Sequence, residues 1–160
     1  MADTSELQAA LAALNATAAF NRWAGFAVRC TAPGEIELEM PWRDEHGQYA
    51  GFLHAGVIGA LIDTACGFAA FTVAGRVLAS HYSVSCLAPA IGTAFVARGR
   101  VVQAGRRQVF AAAELFALRD GSERRVATGE AILVPVAAAA AAAPMPAAAT
   151  AAASVDNRGP

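Results

Sequence analysis

A long apolar stretch in the middle of the chain sets the strongest constraint on its fold. Residues 55–73 are apolar or small, and Asp63 is the single charged residue among them. The length suits one helix over about residues 54–73, and Gly75 follows where such a helix would end. A helix that is apolar on every side has to be buried. The many Gly and Ala residues would let neighbouring backbone approach it closely, so we expect a sheet to wrap around it.

The same stretch is long enough to cross a bilayer. Asp63 at its centre would cost roughly 3 kcal/mol on an insertion scale, which does not forbid a membrane span. However, no basic cluster that would set an orientation flanks the stretch, and amphipathic segments surround it. We therefore expect a core helix and no membrane partner. The net charge of -1 gives no electrostatic reason to expect a nucleic-acid partner.

The flanking segments predict a mixed architecture. Residues 4–19 have a possible N-cap and leucines on one face, which predicts a helix. In residues 35–40, Glu alternates with Ile, Leu and Met, which is typical of a strand with one buried face. The complete set of predicted strands is 25–30, 35–40, 78–88, 93–103, 107–118 and 124–135. A helix, two strands, a long helix and four antiparallel strands indicate an α+β fold.

The composition predicts one domain over residues 1–136. Residues 137–160 are mostly alanine, interrupted by Pro144 and Pro146, and have no apolar face to dock, so we expect a disordered tail. The first residues carry acids and no basic region, which argues against a signal peptide. Three scattered cysteines and three scattered histidines indicate neither a disulfide framework nor a metal site. A cytoplasmic protein without a metal is the expectation.

Three polar residues at and before the apolar stretch form a spaced set. His54 follows Gln48 by six residues, and Asp63 follows His54 by nine. A buried carboxylate is costly, so a chain that keeps Asp63 there is expected to use it. The set resembles the signature of hotdog-fold acyl-CoA thioesterases, in particular the branch with the phenylacetate-pathway and 4-hydroxybenzoyl-CoA thioesterases. That signature is Asn or Gln, then His-Gly-Gly, then an acid.

The resemblance extends over about residues 20–136. Residues 82–89 are similar to the family's third strand, residues 104–110 to its Gly-Arg hairpin and residues 124–134 to its closing strand. The chain departs from the pattern with Ala55 in place of the first Gly after His, and with Ala79 and Ala88 where relatives often carry polar residues.

The resemblance implies a fold, a reaction and an assembly. The fold would be a hotdog, in which an antiparallel sheet wraps around one long central helix. The reaction would be hydrolysis of an acyl-CoA or aryl-CoA thioester to the free acid and CoA, with CoA present only as part of the substrate and no other cofactor. The assembly would be a homodimer joined through the sheet edge, or a homotetramer. The acyl group is not specified by the sequence.

Chemistry assigns roles to the spaced set. Asp63 would be the general base for water, or the nucleophile itself. The N–H of Ala55 at the helix N-terminus would stabilise the oxyanion, and Gly56 would keep the approach to it open. His54 would hold the carbonyl or the loop, and Gln48 would orient water or the thioester. The expected substrate contacts are Thr64, Phe68, Ser80, Arg106 and Arg107.

The same residues have ordinary structural explanations. Asp63 could bond to a buried hydroxyl, His54 could only cap the helix, and Gln48 could be a loop amide. The hairpin residues Arg106 and Arg107 could be solvated instead of binding the phosphates of CoA. A non-catalytic acyl-CoA sensor with the same pocket is the alternative function, and a hotdog hydratase is a weaker one.

Helix geometry adds a constraint on the site. Eight residues separate Ala55 from Asp63, which is about 12 Å along a helix. One thioester cannot reach both groups on the same helix. Two antiparallel helices that meet across a two-fold axis would bring Asp63 of one subunit to Ala55 of the other, so the site is expected to need a dimer.

Overall fold

The computed structural model describes residues 4–136, and the predicted tail at 137–160 lies outside the described residues. The elements in chain order are α1 (Thr4–Thr17), α2 (Ala19–Ala24), β1 (Ala27–Ala32), β2 (Glu35–Pro41), α3 (Ala55–Ala74), β3 (Val77–Cys86), β4 (Ala94–Ala104), β5 (Val109–Arg119) and β6 (Ser122–Pro135). The one-domain boundary at residue 136 stays a prediction.

The strands form one antiparallel sheet around α3. Its six strands lie in the order β1-β2-β4-β5-β6-β3, and every neighbouring pair is antiparallel. Helix α3 packs against β2, β3, β4, β5 and β6. The predicted α+β architecture, a sheet wrapped around one long helix, is confirmed.

The core forms where the inner face of the sheet meets α3. On β2, Ile36, Leu38 and Met40 are buried and alternate with the glutamates, as the sequence pattern predicts. Leu61 and Ile62 of α3 are fully buried against this face. Burying apolar surface from both elements is the main stabilising contribution to the fold.

The packing of α3 inside the sheet explains why the helix is so apolar. By length and composition α3 could cross a bilayer, with a mean hydropathy of 1.8, but 56% of its most apolar window is buried inside the protein. Helix α3 therefore packs as the core helix of a soluble-type domain. It ends at Ala74, followed by Gly75 with φ 70°, as predicted.

The structure adds two short elements to the prediction. The segment before β1 is a second helix, α2, which ends at Gly25 with φ 76°. The loop before α3 contains a 3₁₀ turn at Asp44–His46. Six and three residues are too few to show a helical repeat of apolar residues, so the sequence pattern did not reveal either element.

Gly99 of β4 lies where the backbone of α3 packs closely against the sheet. A Cβ at this position would lie 2.5 Å from the carbonyl oxygen of Ala65. We expect Gly99→Ala to destabilise the protein by about 2 kcal/mol, because helix and strand would have to separate. Gly67→Ala is the matched control, since no heavy atom lies within 4 Å of its added Cβ. Urea unfolding of both variants checks this, and equal midpoints would contradict it.

Candidate active site

The N-terminus of α3 presents a backbone donor. His54 is the N-cap, and its Nδ1 accepts a hydrogen bond from the Gly56 N–H at 2.9 Å. The His54 carbonyl accepts from the N–H groups of Val57 and Ile58 at 2.9 and 3.1 Å. The N–H of Ala55 has no acceptor within the described part of the chain. The predicted oxyanion donor, the N–H of Ala55, is therefore available, whereas the N–H of Gly56 is used by the cap.

The cap also fixes the state of the His54 ring. Because Nδ1 accepts the Gly56 bond, the proton of the neutral imidazole is on Nε2, which leaves Nε2–H as a donor. A Cβ at position 56 would lie 3.0 Å from Nδ1. Glycine at this position thus lets the imidazole close over the first turn of the helix.

The Gln48 side chain lies in a tight loop before the helix. Its Oε1 accepts from the Ala50 N–H at 2.5 Å, and its backbone N–H donates to the Phe52 carbonyl at 2.8 Å. The turn continues through Gly51, with φ 76°. The loop therefore uses the carbonyl end of the Gln48 amide and leaves the NH₂ end available.

Asp63 lies two turns further along α3 and is only partly buried. Its carboxylate forms no hydrogen bond or ion pair with residues 4–136. Burial raises the pKa of this carboxyl above the ordinary value for Asp. A desolvated carboxylate with no partner is a stronger base than one in water.

Asp63 faces a groove of about 350 Å³, here called the acid groove. Its lining residues come from α1, α2, α3, the segment between α3 and β3, the start of β3 and the end of β6. They are Leu14, Asn21, Asp63, Thr64, Gly67, Phe68, Phe71, Arg76, Val77, Leu78, Ala79, Leu133 and Val136. Thr64 and Phe68, two of the predicted substrate contacts, thus lie with Asp63.

A second groove of about 550 Å³, here called the donor groove, lies at the other end of α3. It contains Gln48, His54 and Ala55 beside the aromatic residues Tyr49 and Phe52. The two grooves share no lining residue. Within one chain, the structure therefore separates the acid from the predicted oxyanion donor.

The remaining predicted contacts lie outside both grooves. Ser80 occupies a β-bulge between Ala79 and His81, and its hydroxyl donates to the Ile132 carbonyl at 3.1 Å. Arg106 and Arg107 are exposed in the β4–β5 hairpin. Sequence analysis missed Arg76, because a lone arginine after a helix carries no motif.

Cys66 is poorly suited to act as a nucleophile in this site. Cys66 lies one turn beyond Asp63, and burial, together with the Asp63 carboxylate, raises the pKa of its thiol to about 12. It is therefore a thiol and a weak nucleophile at neutral pH. Between residues 4 and 136, no three His, Cys, Asp or Glu side chains cluster as metal ligands would.

Strand β3 forms one edge of the sheet and pairs only with β6 among the described strands. Its side chains are largely exposed, including Leu78 at 62% and Tyr82 at 51%. The Tyr82 ring lies beside α3, within 3.5 Å of the Cβ position of Gly59. A ten-residue edge with exposed apolar side chains is a template for pairing with another strand.

Proteins of known structure resemble this chain in fold and, to differing degrees, in sequence. A thioesterase superfamily profile matches residues 50–123. A thioesterase family protein from Silicibacter pomeroyi is 37% identical, with a TM-score of 0.75, over 78% of this chain and 93% of that one. The E. coli PaaI protein from the phenylacetic acid degradation operon is 17% identical, with a TM-score of 0.74, over 84% and 97% of the two chains.

Zebrafish thioesterase superfamily member 2 is 21% identical, with a TM-score of 0.72, over 85% of this chain and 100% of that one. These last two likenesses show the fold alone. No protein of curated function matches the chain. The predicted family resemblance is confirmed, and the chain belongs to the thioesterase superfamily.

Proposed function

We propose that the protein is a cytoplasmic acyl-CoA thioesterase whose active site is formed by two copies of the chain. Superfamily membership supports thioester hydrolysis as the class of reaction. The observation that carries the proposal is the pair of unused groups on α3. The Ala55 N–H and the Asp63 carboxylate both lack partners in residues 4–136, and they lie in separate grooves.

The separation supports a shared site. Asp63 and Ala55 are about 12 Å apart along the helix, too far for one thioester carbonyl. Two copies related by a two-fold axis, with their helices antiparallel, would bring the acid groove of one copy to the donor groove of the other. The exposed edge of β3 is the surface through which we propose that the two sheets join.

In the proposed reaction, the thioester carbonyl accepts a hydrogen bond from the Ala55 N–H at the positive end of the α3 dipole. The Nε2–H of His54 and the free NH₂ of Gln48 position the carbonyl or water. Asp63 of the other copy removes a proton as water attacks the carbonyl carbon. The tetrahedral intermediate then breaks its C–S bond, and the CoA thiolate takes up a proton. If Asp63 is itself the nucleophile, the acyl group passes through its carboxylate before water releases it.

Turnover of a panel of thioesters tests the function. Aromatic, short, medium and long acyl-CoA esters should be assayed for CoA release, and at least one is expected to be hydrolysed well above the rate of an Asp63→Asn control. A protein that binds acyl-CoA but hydrolyses none of the panel would contradict the proposal and indicate the non-catalytic sensor instead.

A further inference from the structure

The acid groove runs along α3 away from Asp63. Gly67 and Phe71 follow Asp63 at intervals of four residues, so all three lie on one face of the helix. From Asp63 to the end of α3 at Ala74, the helix rises about 16 Å. Apolar side chains from α1 and β6, Leu14 and Leu133, complete the walls. A groove of this form suits a linear apolar chain.

A cationic side chain, that of Arg76, lies at the end of the acid groove farthest from Asp63 along α3. Arg76 lines it two residues after α3 ends, and its side chain forms no hydrogen bond or ion pair with the described residues. Its backbone is fixed, because its carbonyl accepts from the Val136 N–H at 2.9 Å and the preceding Gly75 N–H donates to the Phe71 carbonyl at 3.0 Å. Of the described lining residues, Arg76 is the only cation and Asp63 the only anion.

We propose that Arg76 binds a carboxylate at the far end of the acyl group, so that the preferred substrates are CoA thioesters of medium-chain dicarboxylic acids. This inference rests on the proposed thioesterase function. The guanidinium is a planar fork that binds a carboxylate through two parallel hydrogen bonds. The methylenes between the two carboxyl carbons would lie along the apolar walls.

The length of the groove sets the chain length. The arginine side chain can reach back along the groove by about 7 Å, taking about 3.5 Å for every three bonds of an extended chain. Of the rise of about 16 Å from Asp63 to Ala74, two residues short of Arg76, about 9 Å then remains for the acyl chain, which corresponds to about eight bonds on the same measure. Acyl groups of about six to ten carbons with a terminal carboxylate therefore fit best.

The phosphates of CoA are a second source of negative charge. The β4–β5 hairpin with Arg106 and Arg107 lies at the same end of the sheet, because Val109 pairs with Leu133 and Leu133 with Ala79. The apolar walls favour an acyl chain over the pantetheine arm, which carries two amides that need hydrogen bonds. An acyl carboxylate and the CoA phosphates can be distinguished, because only the carboxylate is removed when a diacid thioester is replaced by a monoacid thioester.

The test compares matched thioesters. We expect kcat/KM of the wild type to be about tenfold higher for adipoyl-CoA than hexanoyl-CoA, and for suberoyl-CoA than octanoyl-CoA. Arg76→Gln should lower the diacid values by about tenfold and change the monoacid values by less than about twofold. Arg76→Lys should keep part of the preference. Arg119→Gln is the control, since Arg119 is exposed at the β5–β6 turn and pairs with Asp120.

Three results would overturn the inference: no diacid preference in the wild type, a preference that Arg76→Gln leaves intact, or an equal loss for diacids and monoacids. The last would assign Arg76 to the CoA phosphates. Absence of all turnover is a different result, because it would contradict the proposed function. Calorimetric binding of the same pairs to the Asp63→Asn protein tests the Arg76 contact without hydrolysis.

Discussion

Replacing Asp63 with Asn should lower kcat at least about 100-fold, the scale of losing an acid–base group, while the protein stays folded. Asn has nearly the same shape but cannot take a proton from water or attack a thioester. The structure supports a folded variant, because the carboxylate has no partner in residues 4–136 that the substitution would leave unsatisfied. Near-normal turnover in a folded Asp63→Asn protein would exclude both proposed roles of this residue.

The Asp63→Asn substitution should not lower the thermal stability of the protein at neutral pH, although it lowers activity. Burial raises the pKa of Asp63 in the folded chain, so the folded state binds its proton more tightly than the unfolded state. The ionised carboxylate therefore costs stability, and this cost develops as pH rises from the ordinary Asp pKa through the raised one. At neutral pH the Asn variant should melt at the same temperature as the wild type or higher, with the difference vanishing in acid. A lower Tm at neutral pH would point to a structural role for Asp63.

Mixing two inactive variants should restore activity if the site is shared between copies. The second variant is Ala55→Pro, which removes the free N–H and nothing else that the helix uses. Proline is favoured at the first helical position. His54, with φ −64° and ψ 136°, already has the conformation that precedes proline. Loss of an oxyanion donor should lower kcat by about 100- to 1,000-fold.

The expected recovery follows from counting sites. When Asp63→Asn and Ala55→Pro chains pair at random, about half of the dimers are mixed. One site in each mixed dimer carries both lesions and the other carries neither, so activity should return toward a quarter of the wild-type value. Subunit exchange should be verified by mass, and Ala55→Gly, which keeps the N–H, should remain active. Verified exchange without any return of activity would place the acid and the donor within one chain.

Sequence alone predicted the elements whose residues follow a regular pattern or differ sharply from their neighbours. The apolar run of α3 predicted the core helix, and the one charge at its centre made Asp63 a candidate site residue. The Glu alternation of β2 gave its buried face, and the spacing from Gln48 to His54 to Asp63 indicated the family. Each of these signals is local, because it depends on residues near each other in the chain.

The features that the sequence did not predict depend on contacts between distant segments or on local geometry. Arg76 and Leu14 join the acid groove only after the sheet has wrapped around α3. The Nδ1 of His54 accepts a hydrogen bond from the Gly56 N–H, and the Ala55 N–H stays free. This arrangement depends on the orientation of the imidazole ring, which the spacing of residues does not encode. The β-bulge at Ser80 shifts the strand register, and a simple alternation of faces cannot predict it.

The free donor at the start of α3 belongs to the backbone, and this bears on how such enzymes can be detected. Every amino acid except proline supplies the same N–H, so the chemistry at position 55 leaves almost no mark on the sequence. Here alanine occupies the position where the family signature has glycine. A search that demands glycine would discard this chain, although the proposed donor is intact. A better filter for uncharacterised sequences would require the His54 and Asp63 pair and reject only proline between them at position 55.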